Sequence, residues 1–167
     1  DNVFGLGIQT VWNPYHLLGQ DNPEGLTPGL LLDYFSKRGP GFGYEGSYKG
    51  TDYFGAGDRH RGEFLGYGVY DKGYDNLGLD RRHLVPPDEL RGRLFWRHRH
   101  EFSDDFFINA ELGYLSDRNF LEQWYENEFD RDKDNETALY AQHNFENNAS
   151  WSVFGRVQTN DFENNTQ

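Results

Sequence analysis

The sequence predicts an all-β protein: an antiparallel transmembrane β-barrel section, about eight meandering strands of a larger barrel. Three observations predict it. Apolar and polar residues alternate with period two along most of the chain, as in strands with two unlike faces. The alternating stretches run about 9–12 residues, the length a tilted strand needs to cross a bilayer. Aromatic residues make up 17% of the chain while the hydrophobic fraction is only 35%. In a soluble sandwich Val, Leu and Ile would dominate the inward face. Abundant rings and sparse aliphatics instead suit a lipid-facing band with aromatic girdles around a wet interior.

Taken in order, Phe4, Leu6, Ile8 and Trp12 alternate with Gly5, Gly7, Gln9 and Val11. Leu30, Leu32 and Tyr34 alternate with Leu31, Asp33, Phe35 and Lys37. After the turn at Arg38-Gly39-Pro40-Gly41, Phe42, Tyr44 and Tyr48 alternate with Gly43, Glu45, Ser47 and Lys49. A weaker strand covers Glu63 to Asp71, where glycines blur the faces.

The clearest pair is Arg93 to Glu101 and Asp105 to Leu115, joined at Ser103-Asp104 as an antiparallel hairpin. Its first strand sets Leu94, Trp96, His98, His100 and Phe102 against Arg93, Phe95, Arg97, Arg99 and Glu101. Its second sets Phe106, Ile108, Ala110, Leu112 and Tyr114 against Phe107, Asn109, Glu111, Gly113 and Leu115. Leu139, Ala141 and Phe145 then oppose Tyr140, Gln142 and Asn144. The Asn147-Asn148-Ala149 turn leads to Trp151, Val153 and Val157 opposite Ser152, Arg156 and Gln158.

The polar faces nominate Glu45, Lys49, Arg93, Arg97, Arg99, Glu101, Asn109, Glu111, Arg156 and Gln158 as lumen-facing. The apolar faces nominate Leu94, Trp96, Phe106, Ile108, Leu112, Tyr114, Trp151 and Val153 as lipid-facing. Two long polar loops, Lys72 to Leu90 and Asp117 to Asn135, are separated by two strands and so lie on one side. Long loops of such barrels face outside. The tight Arg38 to Gly41 turn then falls outside too, and the longer 13–27 and 51–61 connections become periplasmic. A ninth strand at Thr51 to Asp58 would restore the usual loop lengths, but Gly55 and Gly57 make it a poor strand. The count stays at eight.

A length of 167 residues suits one domain or a piece of something larger. With no Met, Asp1 does not read as a translation start, so residues 1–167 are expected to be an internal, partial barrel domain. The net charge of −12 disfavours a nucleic-acid partner, whose phosphates need clustered Lys and Arg. Without Cys there is no disulfide or thiolate site. The longest aliphatic run, Leu30-Leu31-Leu32, is far short of a spanning helix.

Chemistry-bearing clusters are weak. His98 and His100 lie two apart on one strand face, but Glu101 points the other way, so no same-face carboxylate completes a metal set. Asp130, Asp132, Asp134 and Asn135 open like a calcium loop, yet Asn135 stands where Gly is required and Ala141 where a bidentate Glu is required. Ser116, Asp117, His143 and Asn144 carry no spacing that specifies a nucleophile and base. Gly43, Gly46 and Gly50 precede no helix and so form no phosphate loop. No catalytic residue, metal or cofactor is expected.

One ordered set of segments carries a resemblance. Leu26-Thr27-Pro28 is followed by Asp33-Tyr34-Phe35-Ser36-Lys37-Arg38-Gly39, then Gly62-Glu63 and Asp71-Lys72. Arg93-Leu94-Phe95-Trp96-Arg97-His98 and Leu115-Ser116-Asp117-Arg118-Asn119-Phe120 come next. Over roughly residues 3–162 this resembles the early barrel of the lipopolysaccharide-assembly LptD family, also called OstA or organic solvent tolerance protein. The resemblance implies an outer-membrane translocon of a Gram-negative-type cell, with a periplasmic jelly-roll before a very large barrel. It implies that lipopolysaccharide arrives from an LptA-like periplasmic bridge and leaves through a lateral opening into the outer leaflet. An LptE-like lipoprotein plug, outer-membrane lipid and lipopolysaccharide are the implied partners, and the activity is transport rather than catalysis. Family members often carry cysteines linking domains, and this chain has none. On this resemblance the arginine-bearing face becomes a docking surface for phosphorylated glycolipid or plug. The simpler reading of the same residues is a hydrated interior with charges of both signs. A porin-like channel for small solutes and a soluble β-sandwich binding module are the alternatives.

Overall fold

The structure, a computed structural model, describes residues 3–55, 57–131, 136–157 and 159. Alternation forms the strands, and polar or glycine-bearing turns join them in chain order. The strands are β1 (Gly7–Trp12), β2 (Leu26–Phe35), β3 (Gly39–Thr51), β4 (Arg59–Tyr70), β5 (Leu90–Glu101), β6 (Phe106–Leu115), β7 (Thr137–Asn144) and β8 (Ser150–Val157). Each pairs antiparallel with its chain neighbour in one eight-stranded sheet, in the order β1 to β8. Among the described residues β1 pairs only with β2 and β8 only with β7, so the sheet is not closed on itself. It is one sheet, not the two packed sheets of a sandwich. No helix among the described residues is long and apolar enough to cross a membrane.

The strand starts differ most at β2, which begins at Leu26 rather than Leu30, and β4, at Arg59 rather than Glu63; β1 begins at Gly7 rather than Phe4 and β5 at Leu90 rather than Arg93. In β4, Gly62, Gly66 and Gly68 present no side chain on one face, which erases the alternation that would have marked its start. Residues 52–58 connect β3 to β4 and form no ninth strand; Asp52 sits at φ 60 and its N–H donates to the Asp58 carbonyl at 2.9 Å.

Glycine is required where the chain turns hardest. Gly25 (φ 75) and Gly39 (φ 130) occupy backbone conformations that a side chain disfavours. A Cβ on Gly25 would also run into the Lys49 carbonyl, and one on Gly39 into the Tyr70 carbonyl.

The meander places the β2–β3, β4–β5 and β6–β7 connections at one end, here the loop end, and the other four at the turn end. The two long connections fold back over the sheet at the loop end. The β6–β7 connection carries α2 (Phe120–Trp124) and α3 (Glu126–Phe129). Phe120 and Leu121 pack on Tyr67, Val69 and Leu115, with Leu31, Leu65, Trp124, Tyr125 and Phe129 around them. This is the only hydrophobic cluster of buried side chains recorded among the described residues.

Beside that core lies a buried ionic cluster. Arg91 Nε and Nη2 donate to the two carboxylate oxygens of Asp117, each at 2.9 Å. Its Nη1 reaches Asp75 Oδ1 at 2.7 Å and Asp71 Oδ2 at 2.8 Å. Arg38 Nη1 donates to Asp71 at 3.0 Å, and its guanidinium lies 5.3 Å from the Phe4 ring and 5.7 Å from the Trp124 ring. Trp124 Nε1 also donates to Asp71 Oδ2, at 3.3 Å. The side chains of Arg38, Arg91, Asp71 and Asp75 are fully buried.

A second link ties the two long connections together. Arg81 grips both oxygens of Glu122 at 2.9 Å, and Asn76 N–H donates to Gln123 at 2.8 Å.

Removing one member of a buried ionic set leaves the others uncompensated and costs about 3–5 kcal/mol. Arg91→Ala is therefore expected to release residues 72–89 and 116–131 from the sheet. Limited proteolysis of the folded protein should show these two connections cleaved much faster than in the parent. Equal cleavage rates would show that the cluster does not hold them. Arg91→Lys should fail to restore protection, because one ammonium cannot supply the three-sided fork that Asp71, Asp75 and Asp117 share.

Candidate functional site

Register determines which residues share a face. Arg93, Arg97, Arg99 and Glu101 stand beside Leu115, Glu111, Asn109 and Phe107 of β6. They also stand beside Tyr67, Glu63, Arg61 and Arg59 of β4. β3 extends the same face through Glu45, Ser47 and Lys49, and β8 through Arg156. Every Asp, Glu, Lys and Arg of the eight strands falls on this face. The sequence-nominated polar set thus lies together, except Gln158, which is outside the described residues.

The nominated apolar residues Leu94, Trp96, Phe106, Ile108, Leu112, Tyr114, Trp151 and Val153 occupy the opposite face. Leu94, Leu112, Tyr114, Trp151 and Val153 are exposed, as are Ile8, Leu32, Tyr34, Phe42 and Leu139. Histidine is the one titratable side chain besides tyrosine that the strands themselves place on that face.

Mid-sheet, the charged face is a ladder of bridges. Arg97 donates to Glu111 at 3.1 Å and to Glu63 at 3.2 Å, while Arg99 donates to Glu101 at 2.6 Å and to Asn109 at 3.3 Å. Arg156 pairs with Glu136 at 2.9 Å. Cations also lie on rings: Arg99 is 4.1 Å from the Phe107 centroid and Arg97 5.2 Å from that of Phe95. Towards the loop end Arg93 pairs with Glu128 at 2.7 Å and lies 4.7 Å from the Tyr125 ring. Burial there pushes the Tyr125 phenol above its ordinary range, against the pull of the Arg93 charge.

Between these side chains runs a groove of about 660 Å³ lined by Thr27, Glu45, Ser47, Glu63, Arg97 and Glu111. It adjoins a second hollow of about 670 Å³ beside Lys49, Arg61 and Arg99. No ion pair is recorded among the described residues for Lys49 or Arg61, whereas Arg59 beside them pairs with Glu101 and Asp104, each at 3.1 Å.

The remaining sequence candidates separate. Ser116 donates to Asp117 at 2.9 Å, but Asp117 is taken up by Arg91 at the loop end. His143 is paired across the sheet with Trp151, on the opposite face and near the turn end. Of the acidic run, Asp132, Asp134 and Asn135 lie outside the described residues. His98 shares its Nδ1 with the Tyr48 hydroxyl at 2.7 Å, and that hydroxyl accepts from Trp96 Nε1 at 2.9 Å. His100 instead meets His60 and Asp58, which sequence reasoning did not connect to it. Arg38, Arg91, Asp71 and Asp75 were missed as well. Arg91 alternates in step with Arg93, Arg97 and Arg99, and that spacing was the available signal.

Comparison with protein-family models, curated proteins and solved structures finds no match for this chain.

Half-exposed ion pairs contribute little, typically ~0–1 kcal/mol. The Arg97 side chain is 48% exposed and its Glu63 partner 52%. Arg97→Ala is therefore expected to shift the unfolding midpoint far less than Arg91→Ala, in a side-by-side denaturant titration. Comparable losses would mean that the mid-face ladder, and not the loop-end cluster, supports the fold.

Proposed function

We propose that this chain is part of the wall of a large outer-membrane β-barrel that inserts lipopolysaccharide into the outer leaflet. One observation carries the membrane half of the reading. All charged strand residues share one face, and the other face exposes aliphatic and aromatic side chains across all eight strands. Soluble monomers rarely expose contiguous apolar patches beyond a few hundred Å², and among the described residues no second sheet packs over this one. Rings also gather toward the strand ends of that face. Tyr34, Phe42, Tyr70 and Tyr114 stand at the loop end, and Trp12, Tyr48, Phe106 and Trp151 at the turn end. Ile108, Leu112 and Val153 lie between, with Tyr44, Phe64 and Trp96 also inside the strands, while Leu30, Leu32 and Leu94 stand opposite Trp12, Phe42 and Tyr114. An apolar face with rings at both strand ends supports the reading of a lipid-facing band.

The glycolipid half rests on the ordered resemblance described above and on the charged face. Lipopolysaccharide offers sugars and phosphates, and Arg matches phosphate oxygens in two-point geometry. The hollow beside Lys49, Arg61 and Arg99, which Glu63 also lines, supplies such donors. The wet face then accommodates the saccharide while the outer face rests in lipid. An LptE-like plug and an LptA-like bridge are the partners this reading requires.

Spin labels at Ile108, Leu112, Asn109 and Glu111 test the membrane half in the protein reconstituted in a bilayer. Labels at 108 and 112 should be accessible to oxygen, and those at 109 and 111 to a water-soluble relaxant. Shielding of 108 and 112 from both reagents would mean that protein covers this face, and the membrane reading would fall. A photo-crosslinking residue at Ser47 should yield lipopolysaccharide adducts in cells. Ohmic channel conductance without adducts would place the chain among porin-like channels instead.

A further inference from the structure

We propose that Asp58, His60 and His100 form a binding site for a divalent transition-metal ion of the zinc class. The site lies at the turn end, on the face opposite the charged groove.

Three elements converge there. His60 of β4 and His100 of β5 are direct cross-strand partners, and their rings stack with centroids 5.8 Å apart. Asp58 comes from the β3–β4 connection immediately before β4. One ligand atom from each of the three lies within 4.8 Å of the others.

Two features distinguish this arrangement from a solvated surface cluster. Asp58 is 1% exposed and His100 6%, so two of the three groups are buried. Moreover, Asp58 Oδ2, His60 Nδ1 and His100 Nε2 are all buried without a hydrogen-bond partner. Asp58 Oδ2 and His100 Nε2 approach to 2.8 Å, yet they are not aligned as a hydrogen bond. Buried polar atoms left unsatisfied cost roughly 1–3 kcal/mol each, and a cation between them would satisfy all three.

The surroundings orient the ligands as an outer shell does. Phe54 N–H donates to Asp58 Oδ1 at 3.0 Å, which leaves Oδ2 turned to the histidines. The connection is itself braced, with Gly57 N–H donating to Asp52 at 2.7 Å. Phe54 packs 5.2 Å from the His100 ring and Tyr53 5.8 Å from the His60 ring. Gly50 of β3 admits the His60 ring, because a Cβ there would lie 2.7 Å from its Cε1.

Two imidazoles and one carboxylate select a nitrogen-binding transition ion over calcium or magnesium, which favour oxygen throughout. Zinc ligand bonds of about 2.0–2.1 Å place ligand atoms ~3.3 Å apart in a tetrahedron. The 2.8 Å approach therefore has to open by only a few tenths of an ångström. Three protein ligands leave a position for water or a further group. Once bound, the ion would tie the β3–β4 connection to β4 and β5.

The test uses the folded protein in detergent, freed of metal and titrated with Zn²⁺ alone. Calorimetry should report one ion per chain, and X-ray absorption of the loaded parent should report imidazole and carboxylate scatterers at about 2.0–2.2 Å. Asp58→Asn and His100→Gln should each weaken binding by more than the ~10–100-fold typical of losing an outer-shell partner. His98→Gln and His143→Gln should leave it unchanged. A parent that binds no Zn²⁺, or an absorption spectrum without imidazole scatterers, would overturn the site and reduce the cluster to an Asp58–His100 ion pair. Equal losses in the His98 or His143 variants would overturn it too, by marking diffuse histidine binding. The absorption measurement decides the question on the parent even where a variant fails to fold. None of these results bears on lipopolysaccharide insertion.

Discussion

A strand sends successive side chains to opposite faces, and in this chain that geometry meets a strict rule about charge. Every strand Asp, Glu, Lys and Arg lies on one face, and within β3, β4 and β5, which carry several, they are separated by even numbers of residues. Register is then the decisive variable, because a slip by one residue moves a whole strand's charges to the apolar side. Arg97 shows the consequence locally: its position between Glu63 and Glu111 exists only in the observed register. On a lipid-facing surface an Arg at the bilayer midplane costs about 2–4 kcal/mol. In the proposed setting, slipped pairings would therefore be excluded several times over by β4 and β5 alone.

The two ends of the charged face solve the problem of buried charge differently. At the loop end the charges are removed from water and tied to one another, with two arginines meeting three aspartates behind Phe120, Leu121 and Trp124. Such a cluster is costly to assemble and more costly to leave incomplete. Its members come from the β2–β3 turn, the two long connections and β5, so it acts as a single clasp on four separate parts of the chain. At the turn end Arg59 stays exposed and bridges Glu101 and Asp104, while no ion pair is recorded among the described residues for Lys49 or Arg61.

Much of this was visible in the sequence. Alternation located all eight strands and sorted their faces, because period two survives even in a chain with 20 glycines. It did not locate the start of β4, where Gly62 interrupts the pattern, and that omission hid His60. The histidine question was consequently put to the wrong pair. His98 and His100 are neighbours along one strand, separated by two rises, whereas His60 and His100 face one another across a strand pair, where Cβ atoms lie only ~4.5–5.5 Å apart. The clasp was hidden for another reason. Alternation reports which face a residue takes, not whether a distant loop will cover it. Arg91 reads like Arg97, and only the folding back of Asp71, Asp75 and Asp117 distinguishes the buried arginine from the half-exposed one.

The open edges place a further demand on the membrane reading. Among the described residues β1 and β8 each pair on one side alone, so a row of backbone N–H and C=O groups on each has no strand partner there. Water can satisfy such groups, and hydrocarbon cannot; spanning sheets are accordingly closed. A soluble sheet with these edges would be tolerable, but it would then leave its aromatic face in water. A membrane sheet removes that face from water, but only if both edges find strands. The two requirements are met together when these eight strands are one arc of a larger closed barrel. Under the proposal, the exposed apolar face and the unpaired edges thus make the same demand on independent physical grounds, one from the hydrophobic effect and one from hydrogen bonding.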